Sequence, residues 1–192
     1  MTDKIKVGMI QINNSFGGQC YLPLSLGFLY SYAEFHVEKF DRFEFLVPIY
    51  KRIKIKEVVE HLKDADIAAF SVYVWNHELS LAIARELKKI NPECLIVFGG
   101  CHIPDKNTDK YLEKHSYVDI AAIGEGERVF ASLLENYFNK TWGEVPSISY
   151  TDENGEILSN PQCERIKDMN EIPSPFLEGY FNNLMKQRPE EK

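Results

Sequence analysis

A chain of 192 residues has the length of one ordinary globular domain with a short appendage. Hydrophobic residues make up 44% of the chain and aromatic residues 12%, a composition that excludes disordered and fibrous proteins. The formal net charge is -7 and the basic residues are scattered, which excludes the basic surface of nucleic-acid-binding proteins, so no nucleic acid partner is expected.

The sequence also argues against membranes and secretion. No apolar stretch approaches the ~20 residues that a helix needs to cross a bilayer. The four cysteines, at positions 20, 94, 101 and 163, stand far apart and contain no Cys-x-x-Cys pair. This spacing favours reduced thiols over a disulfide framework or a zinc site, and we therefore predict a cytoplasmic protein.

Apolar runs and helical periods alternate along the first 140 residues. Runs such as 5–12 are typical of strands buried on both faces of a parallel sheet, and apolar residues at i, i+3, i+4 and i+7 are typical of the helices that cover it. In chain order the pattern predicts a strand at about 4–12, a helix at 23–37, a strand at 43–47, a helix at 54–64, a strand at 66–73, a helix at 76–90, a strand at 94–98, a helix at 105–115, a strand at 118–123 and a helix at 125–139.

This regular alternation predicts right-handed βαβ crossovers in an α/β fold. We expect a Rossmann-like, flavodoxin-like sheet of five parallel strands with helices on both faces, doubly wound and spanning residues 1–140. Residues 141–192 are expected to form a C-terminal β-hairpin and a linker. The hairpin strands are predicted at 147–150 and 156–159, because an Asn-Gly pair between them supplies the positive φ angles of a tight turn.

The candidate binding residues follow the predicted strands. Ligands of open α/β sheets bind beyond the carboxyl ends of the strands, where the strand order reverses. Polar residues, glycines and aromatic residues stand there, at 13–18, 71–76, 99–104 and 124–127.

The glycines in these segments allow two interpretations. Gly99 and Gly100 either let a ligand approach the backbone or make only a tight turn. Gly124 and Gly126 open a helix whose N–H groups could meet a polar ligand, but the acidic residues between and after them disfavour an anion. No Gly-x-Gly-x-x-Gly follows the first strand, so a dinucleotide site is not expected.

The aromatic and polar residues near the third and fourth strands are similarly ambiguous. Tyr73 and Trp75 would form an apolar wall, or Trp75 would be a core residue, and Asn76 would bind a ligand or cap a helix. His102 would ligate a metal, act as a base or bond within its loop. The other histidines lie on predicted helices and are expected to face solvent. We find no nucleophile paired with a base, so no catalytic residue and no metal ligand is predicted.

Four ordered motifs carry a family resemblance. They are Leu22-Pro-Leu-Ser-Leu-Gly-Phe-Leu29, Ser71-Val-Tyr-Val-Trp-Asn76, Val97-Phe-Gly-Gly-Cys-His-Ile-Pro104 and Ile123-Gly-Glu-Gly-Glu127. Together they resemble the N-terminal cobalamin (B12)-binding domain of radical SAM proteins, over residues 5 to 181. The later run Ile172-Pro-Ser-Pro-Phe176 looks like the linker into the radical SAM domain.

The resemblance implies that cobalamin lies across the carboxyl edge of the sheet. Residues 71 and 73–76 would face the lower side of the corrin ring or its nucleotide tail, Gly99 and Gly100 would make room for the tail, and residues 124–127 would close its far end. The candidate cofactor-binding residues are Asn13, Asn14, Tyr21, Pro23, Leu24, Ser71, Tyr73, Val74, Trp75, Asn76, Gly99, Gly100, His102, Ile103, Gly124, Glu125, Gly126 and Glu127.

Two motifs of related enzymes are absent from the chain. Without Asp-x-His-x-x-Gly, whose histidine is the lower cobalt ligand in other B12 domains, the resemblance implies base-off cobalamin. Without Cys-x-x-x-Cys-x-x-Cys, S-adenosylmethionine and a 4Fe-4S cluster would belong to a missing C-terminal radical SAM domain of the same parent chain. We expect a parent of the methyltransferase class or related radical chemistry, and no catalysis by this domain alone.

Two other functions stay open. A flavodoxin-like or receiver-like module would share the fold, although a receiver needs acidic residues after the first strand, where Asn13 and Asn14 stand. A B12 domain that has lost its cofactor and serves as a scaffold would share the motifs as well. A binding measurement separates that scaffold from a cobalamin-binding domain.

Overall fold

A computed structural model describes residues 4–16 and 19–186. The strands are β1 (Ile5–Ile10), β2 (Ser15–Phe16), β3 (Gln19–Cys20), β4 (Phe43–Phe45), β5 (Ile67–Ser71), β6 (Leu95–Gly99), β7 (Ile120–Ala122), β8 (Ile148–Thr151) and β9 (Ile157–Ser159). The α-helices are α1 (Leu24–His36), α2 (Ile55–Leu62), α3 (His77–Ile90), α4 (Thr108–Lys114), α5 (Gly126–Asn136) and α6 (Asn182–Lys186). Across the described residues, no helix has both the length and the apolar character of a bilayer span.

The centre of the molecule is a seven-stranded sheet in the order β4-β1-β5-β6-β7-β8-β9. Its first five strands are parallel, and Val7 of β1 pairs with both Phe45 and Ile67. The chain runs from β1 outward to β4 and then returns to β5, so the strand order reverses between β1 and β5. This confirms the predicted Rossmann-like α/β fold and locates the point at which such folds bind ligands.

Helices cover both faces of the sheet. One apolar layer packs α2, α3 and α4 on the sheet through residues such as Leu62, Leu87 and Leu112. The other packs α1 and α5 through residues such as Leu26 and Leu133. Helices α2, α3 and α5 each bury one apolar stripe, which is why the i, i+3, i+4 spacing located them correctly.

The C-terminal hairpin extends the sheet. β8 pairs antiparallel with β7, with Tyr150 opposite Ile120, and β9 pairs antiparallel with β8. The hairpin therefore adds two antiparallel strands to the five parallel ones, and β8 covers the outer edge of β7. A short β2–β3 hairpin was not predicted; it lies in the loop after β1, in which Gly17 and Gly18 fall outside the described residues.

The segment that the sequence identified as a linker packs on its own domain. Phe181 is fully buried with Tyr50 and Leu184. Gly27 of α1 leaves room for this segment, because a Cβ atom there would lie 2.8 Å from Cβ of Pro175. Leu177 nevertheless stays 86% exposed. The predicted connector is thus anchored on α1, and residues 187–192 lie outside the described chain.

Candidate functional site

Two neighbouring cavities with shared lining residues lie at the carboxyl edge of the parallel strands. The inner cavity, about 310 Å³, lies beyond β5, β6 and β7 on the side of α1 and α5. The outer cavity, about 500 Å³, lies between the loops that follow β1 and β5, where the strand order reverses. The inner cavity is lined by Ser25, Leu29, Ala69, Phe70, Ser71, Tyr73, Val97, Gly99, Gly100, Cys101, Ala122, Gly124, Glu125, Gly126, Glu127, Val129, Phe130 and Leu133. The outer cavity is lined by Gln11, Asn13, Asn14, Tyr21, Leu22, Leu24, Ser25, Phe28, Tyr73 and Trp75.

The two glycines that end β6 have different roles. A Cβ atom at Gly99 would meet the Ala122 Cβ atom at 3.5 Å, an ordinary contact, so the missing side chain leaves free space in the inner cavity. Gly100 has a φ angle of 107°, and a Cβ atom there would lie 2.7 Å from the carbonyl oxygen of Val72. The turn interpretation holds at Gly100, whereas Gly99 leaves open the space in which the other interpretation places a ligand.

The far end of the inner cavity is formed by the start of α5. Gly124 has a φ angle of 81°, which favours glycine, and Gly126 lets α5 approach Leu29 of α1. One carboxylate oxygen of Glu125 accepts a hydrogen bond of 2.8 Å from the backbone N–H of Ile166. Glu127 also lines the cavity, in the first turn of the helix. These carboxylates compensate the positive end of the helix, so this end of the cavity disfavours a second anion.

Exposed apolar side chains form the outer cavity. Trp75 is 44% exposed, so its interpretation as a core residue is wrong. Its ring stacks on Tyr73, with 4.6 Å between centroids and 7° between planes. Tyr21 and Leu24 are exposed on the facing side. An exposed apolar surface rimmed by polar residues is characteristic of a binding site.

Asn76 ties the loops of the two cavities together. It is 1% exposed, its Nδ2 donates to the carbonyls of Ile12 (3.1 Å) and Ser71 (3.0 Å), and its Oδ1 accepts from the N–H of Tyr73 (2.7 Å). Asn76 occupies the N-cap position of α3, as one interpretation predicted, but its side chain makes no capping bond to the described helix and bonds to the two strand ends instead. Asn76 holds the ends of β1 and β5 at a fixed separation.

The structure brings thirteen of the eighteen predicted site residues to the cavities and leaves five elsewhere. The five that line neither cavity are Pro23, Val74, Asn76, His102 and Ile103. Ile103 is buried in the layer of α2, α3 and α4, and Val74 is exposed to solvent. His102 lies near His77 of α3, with 4.6 Å between ring centroids. Residues 99–101 therefore line the inner cavity, and the chain then turns away from it.

One buried histidine corrects the expectation that the helical histidines face solvent. His115 is 9% exposed, packs against Tyr111, and does not face solvent. Desolvation by burial is the main reason that its pKa is lowered, with smaller contributions from Lys114 and His77. Among residues 4–16 and 19–186, no three His, Cys, Asp or Glu side chains converge as a metal site.

Sequence reasoning missed several lining residues. Ser25 and Leu29 stand four positions apart on α1 and face the inner cavity, a spacing that places two side chains on one helix face. Ala69 stands two residues before the predicted Ser71 on β5, a spacing that places both side chains on one face of the sheet. Cys101 follows the two glycines and also lines the inner cavity. The helix spacing within the Leu22–Leu29 motif was the signal that could have identified Ser25.

Comparisons with known proteins agree with this arrangement. Residues 44–134 match the B12 binding domain family. The chain is 33% identical over 167 residues to the cobalamin-dependent radical SAM methyltransferase TokK of Streptomyces tokunonensis, and 34% identical over 167 residues to the 2-(S-pantetheinyl)-carbapenam-3-carboxylate methyltransferase of Streptantibioticus cattleyicolor. Each alignment covers 86% of this chain and 24% of the relative, so the chain spans only a minor part of these enzymes.

A solved structure shows the same fold. The cobalamin-dependent S-adenosylmethionine radical enzyme OxsB, with aqua-cobalamin and S-adenosylmethionine bound, superposes with a TM-score of 0.68 at 22% identity. The alignment covers 94% of this chain and 25% of OxsB. The chain therefore belongs to the B12-binding domain family, in the form found in cobalamin-dependent radical SAM enzymes.

Proposed function

We propose that this domain binds cobalamin across both cavities and presents it to a radical SAM domain of the same parent protein. The nucleotide tail would enter the inner cavity and the corrin ring would cover the outer one. The observation that carries this proposal is the space beside Gly99, where a side chain is missing and a mostly apolar cavity extends between the sheet and helices α1 and α5. A cavity of about 310 Å³ is large enough for an aromatic base.

The residues of the inner cavity fit a tail that ends in a flat base. Ala69, Val97 and Leu133 supply apolar walls, and Ser71 is a polar residue on the floor. Gly99 and Gly100 bring bare backbone to the same space. The negative charge of Glu127 favours placing the tail phosphate away from the start of α5, toward the cavity mouth.

The outer cavity fits the ring. Trp75, stacked on Tyr73, would lie against its lower face, with Tyr21 and Leu24 at its edge. No histidine of this chain stands two residues after an aspartate, so we propose base-off cobalamin with no imidazole of this domain below the ring. Bound cobalamin would supply methyl-transfer or radical chemistry, while these side chains orient the ring and exclude water from its lower face.

The parent protein is proposed to be a methyltransferase or a related radical SAM enzyme. The two relatives named above carry methyltransferase names and are much longer than this chain. S-adenosylmethionine and a 4Fe-4S cluster would be held by the domain that follows the linker. All four cysteines of this domain are free thiols, which supports a reducing, cytoplasmic setting.

Corrinoid binding tests the proposal directly. The purified domain is mixed with hydroxocobalamin or methylcobalamin, passed through a desalting column and measured by its visible spectrum. We expect retained corrinoid with the absorption of the base-off form. A domain that has kept the fold as a cofactor-free scaffold would retain none, and that result would overturn the proposal.

A matched pair of variants locates the site. Gly99→Leu places a side chain in the inner cavity without a backbone clash, so cobalamin retention should be lost while the fold persists. Gly143→Leu is the control, because a Cβ atom there has similar room, 3.6 Å from the Tyr150 hydroxyl, at an exposed position outside both cavities. Circular dichroism checks that both variants fold. Equal retention by both variants would argue against the inner cavity as the tail site.

A further inference from the structure

One pair of side chains separates the two cavities. Among the described residues, the inner and outer cavities share only Ser25 and Tyr73 in their linings. The two hydroxyls form a hydrogen bond, with 2.6 Å between Ser25 Oγ and Tyr73 Oη. Ser25 stands in the first turn of α1 and Tyr73 in the loop after β5, so the bond connects opposite walls of the site.

The backbone on each side of this bond is held in place. Tyr73 donates its N–H to Asn76, and its carbonyl accepts from the N–H groups of Asn76 (3.1 Å) and His77 (3.0 Å). At the start of α1, the N–H of Leu26 donates to the side chain of Gln11. Opening the bond is therefore a rotation of two side chains and needs no displacement of a loop or helix.

We propose that the Ser25–Tyr73 hydrogen bond is a latch between the ring site and the tail site. This inference rests on the proposed function. A cobalamin whose ring covers the outer cavity and whose tail enters the inner one must pass its connecting chain between the two cavities, where the latch stands. A corrinoid without a nucleotide tail occupies the outer cavity alone and leaves the latch closed. The pair would thus determine how strongly the domain distinguishes complete from tail-less corrinoids.

The test compares aqua-cobalamin with cobinamide, a corrinoid without the nucleotide tail. The association constant of each corrinoid is measured by absorbance titration. The readout is the association constant for cobalamin divided by that for cobinamide. Ser25→Ala and Tyr73→Phe each remove one hydroxyl of the latch. We expect both variants to raise the ratio by about fivefold, the factor by which one ordinary hydrogen bond shifts an equilibrium.

Ser31→Ala is the matched control on the same helix. Its hydroxyl is buried and finds no hydrogen-bond partner among residues 4–16 and 19–186, and it lines neither cavity. This variant should leave the ratio at the wild-type value. Circular dichroism and thermal unfolding of all three variants confirm that the fold is intact before the titrations are compared.

The outcomes separate the latch from the proposed function. If the wild-type domain binds neither corrinoid, the proposed function fails. If it binds both and the two latch variants keep the wild-type ratio, the tail passes the pair without opening it and the latch is wrong. A ratio that falls in Ser25→Ala would show that this hydroxyl holds the tail directly, which also overturns the latch.

Discussion

The inner and outer cavities are built by opposite means. The inner cavity exists because side chains are missing: Gly99 leaves space, and Gly100 allows a turn that a side chain would obstruct. The outer cavity exists because side chains are present and exposed, above all Trp75 stacked on Tyr73. The inner cavity lies between the sheet edge and helices α1 and α5, and the outer cavity is an aromatic surface in solvent.

This difference predicts how each cavity responds to substitution. A change in the main-chain frame of the inner cavity costs folding free energy, since the same atoms hold the strand ends. A change on the exposed surface of the outer cavity costs binding and leaves folding nearly unaffected. Asn76 belongs to the first class although its sequence position beside Trp75 suggested the second.

The largest effect is expected at Asn76, which joins the two cavities. Asn76→Asp keeps the size of the side chain but turns a carboxylate oxygen toward the carbonyls of Ile12 and Ser71, in place of the N–H donors that now bind them. The free energy of unfolding should fall by about 4 kcal/mol, because the two carbonyls lose their N–H donors and face a buried negative charge instead. Urea denaturation followed by circular dichroism measures the loss.

The control for this substitution is Asn183→Asp on the exposed side of α6, where a change within about 0.5 kcal/mol is expected. If Asn76→Asp unfolds at the same urea concentration as the wild type, the hydrogen bonds of Asn76 do not stabilise the ends of β1 and β5. Its side chain would then be free for a ligand.

The next effect separates the two glycines of the inner cavity. Gly100→Ala should destabilise the domain by about 3 kcal/mol, because a residue with a Cβ atom is strained at a φ angle of 107° and would contact the Val72 backbone. Gly99→Ala should stay within about 0.5 kcal/mol of the wild type, since its Cβ atom finds ordinary contact distances. The two unfolding curves are recorded in urea under the same conditions. Equal losses would contradict the division of roles between the two glycines.

A smaller effect, on binding alone, is expected at the outer cavity. Trp75→Ala should weaken cobalamin binding about tenfold, because a large aromatic contact is lost, and should change the free energy of unfolding by less than about 1 kcal/mol. Absorbance titration and urea denaturation give the two values. Phe35→Ala is the control: this exposed aromatic residue at the other end of α1 lines neither cavity. A large loss of stability at Trp75 would place its ring in the core after all.

The sequence predicted the residues that line the inner cavity better than it predicted the hydrogen bonds that hold the loops in place. Strand ends and glycines are local features, so Gly99, Gly100 and residues 124–127 could be located from the alternation of apolar runs. The bonds from Asn76 to Ile12 and from Ser25 to Tyr73 join positions 64 and 48 residues apart. No local pattern encodes such pairs, because they depend on how the strands are ordered. The hairpin was predicted from its turn, but its pairing with β7 depends on the whole sheet.

The smallest expected effect lies away from both cavities, at His115 on the side of α3 and α4. Burial lowers the pKa of this imidazole, so the folded domain binds the proton only at a lower pH than the unfolded chain, in which the pKa is near its ordinary value of about 6.5. Stability from this group is therefore present above that value and is lost as the pH falls through it. Thermal unfolding between pH 7.5 and 5.5, values that span about 6.5, should show a declining melting temperature in the wild type.

The decline should be weaker in His115→Gln than in the matched control His61→Gln, which replaces an exposed histidine of α2. Neither residue lines the inner or the outer cavity, so cobalamin retention at neutral pH should match the wild type in both variants. A decline that persists unchanged in His115→Gln would assign the pH sensitivity to another group, and a loss of cobalamin would show that the rim depends on the packing behind it.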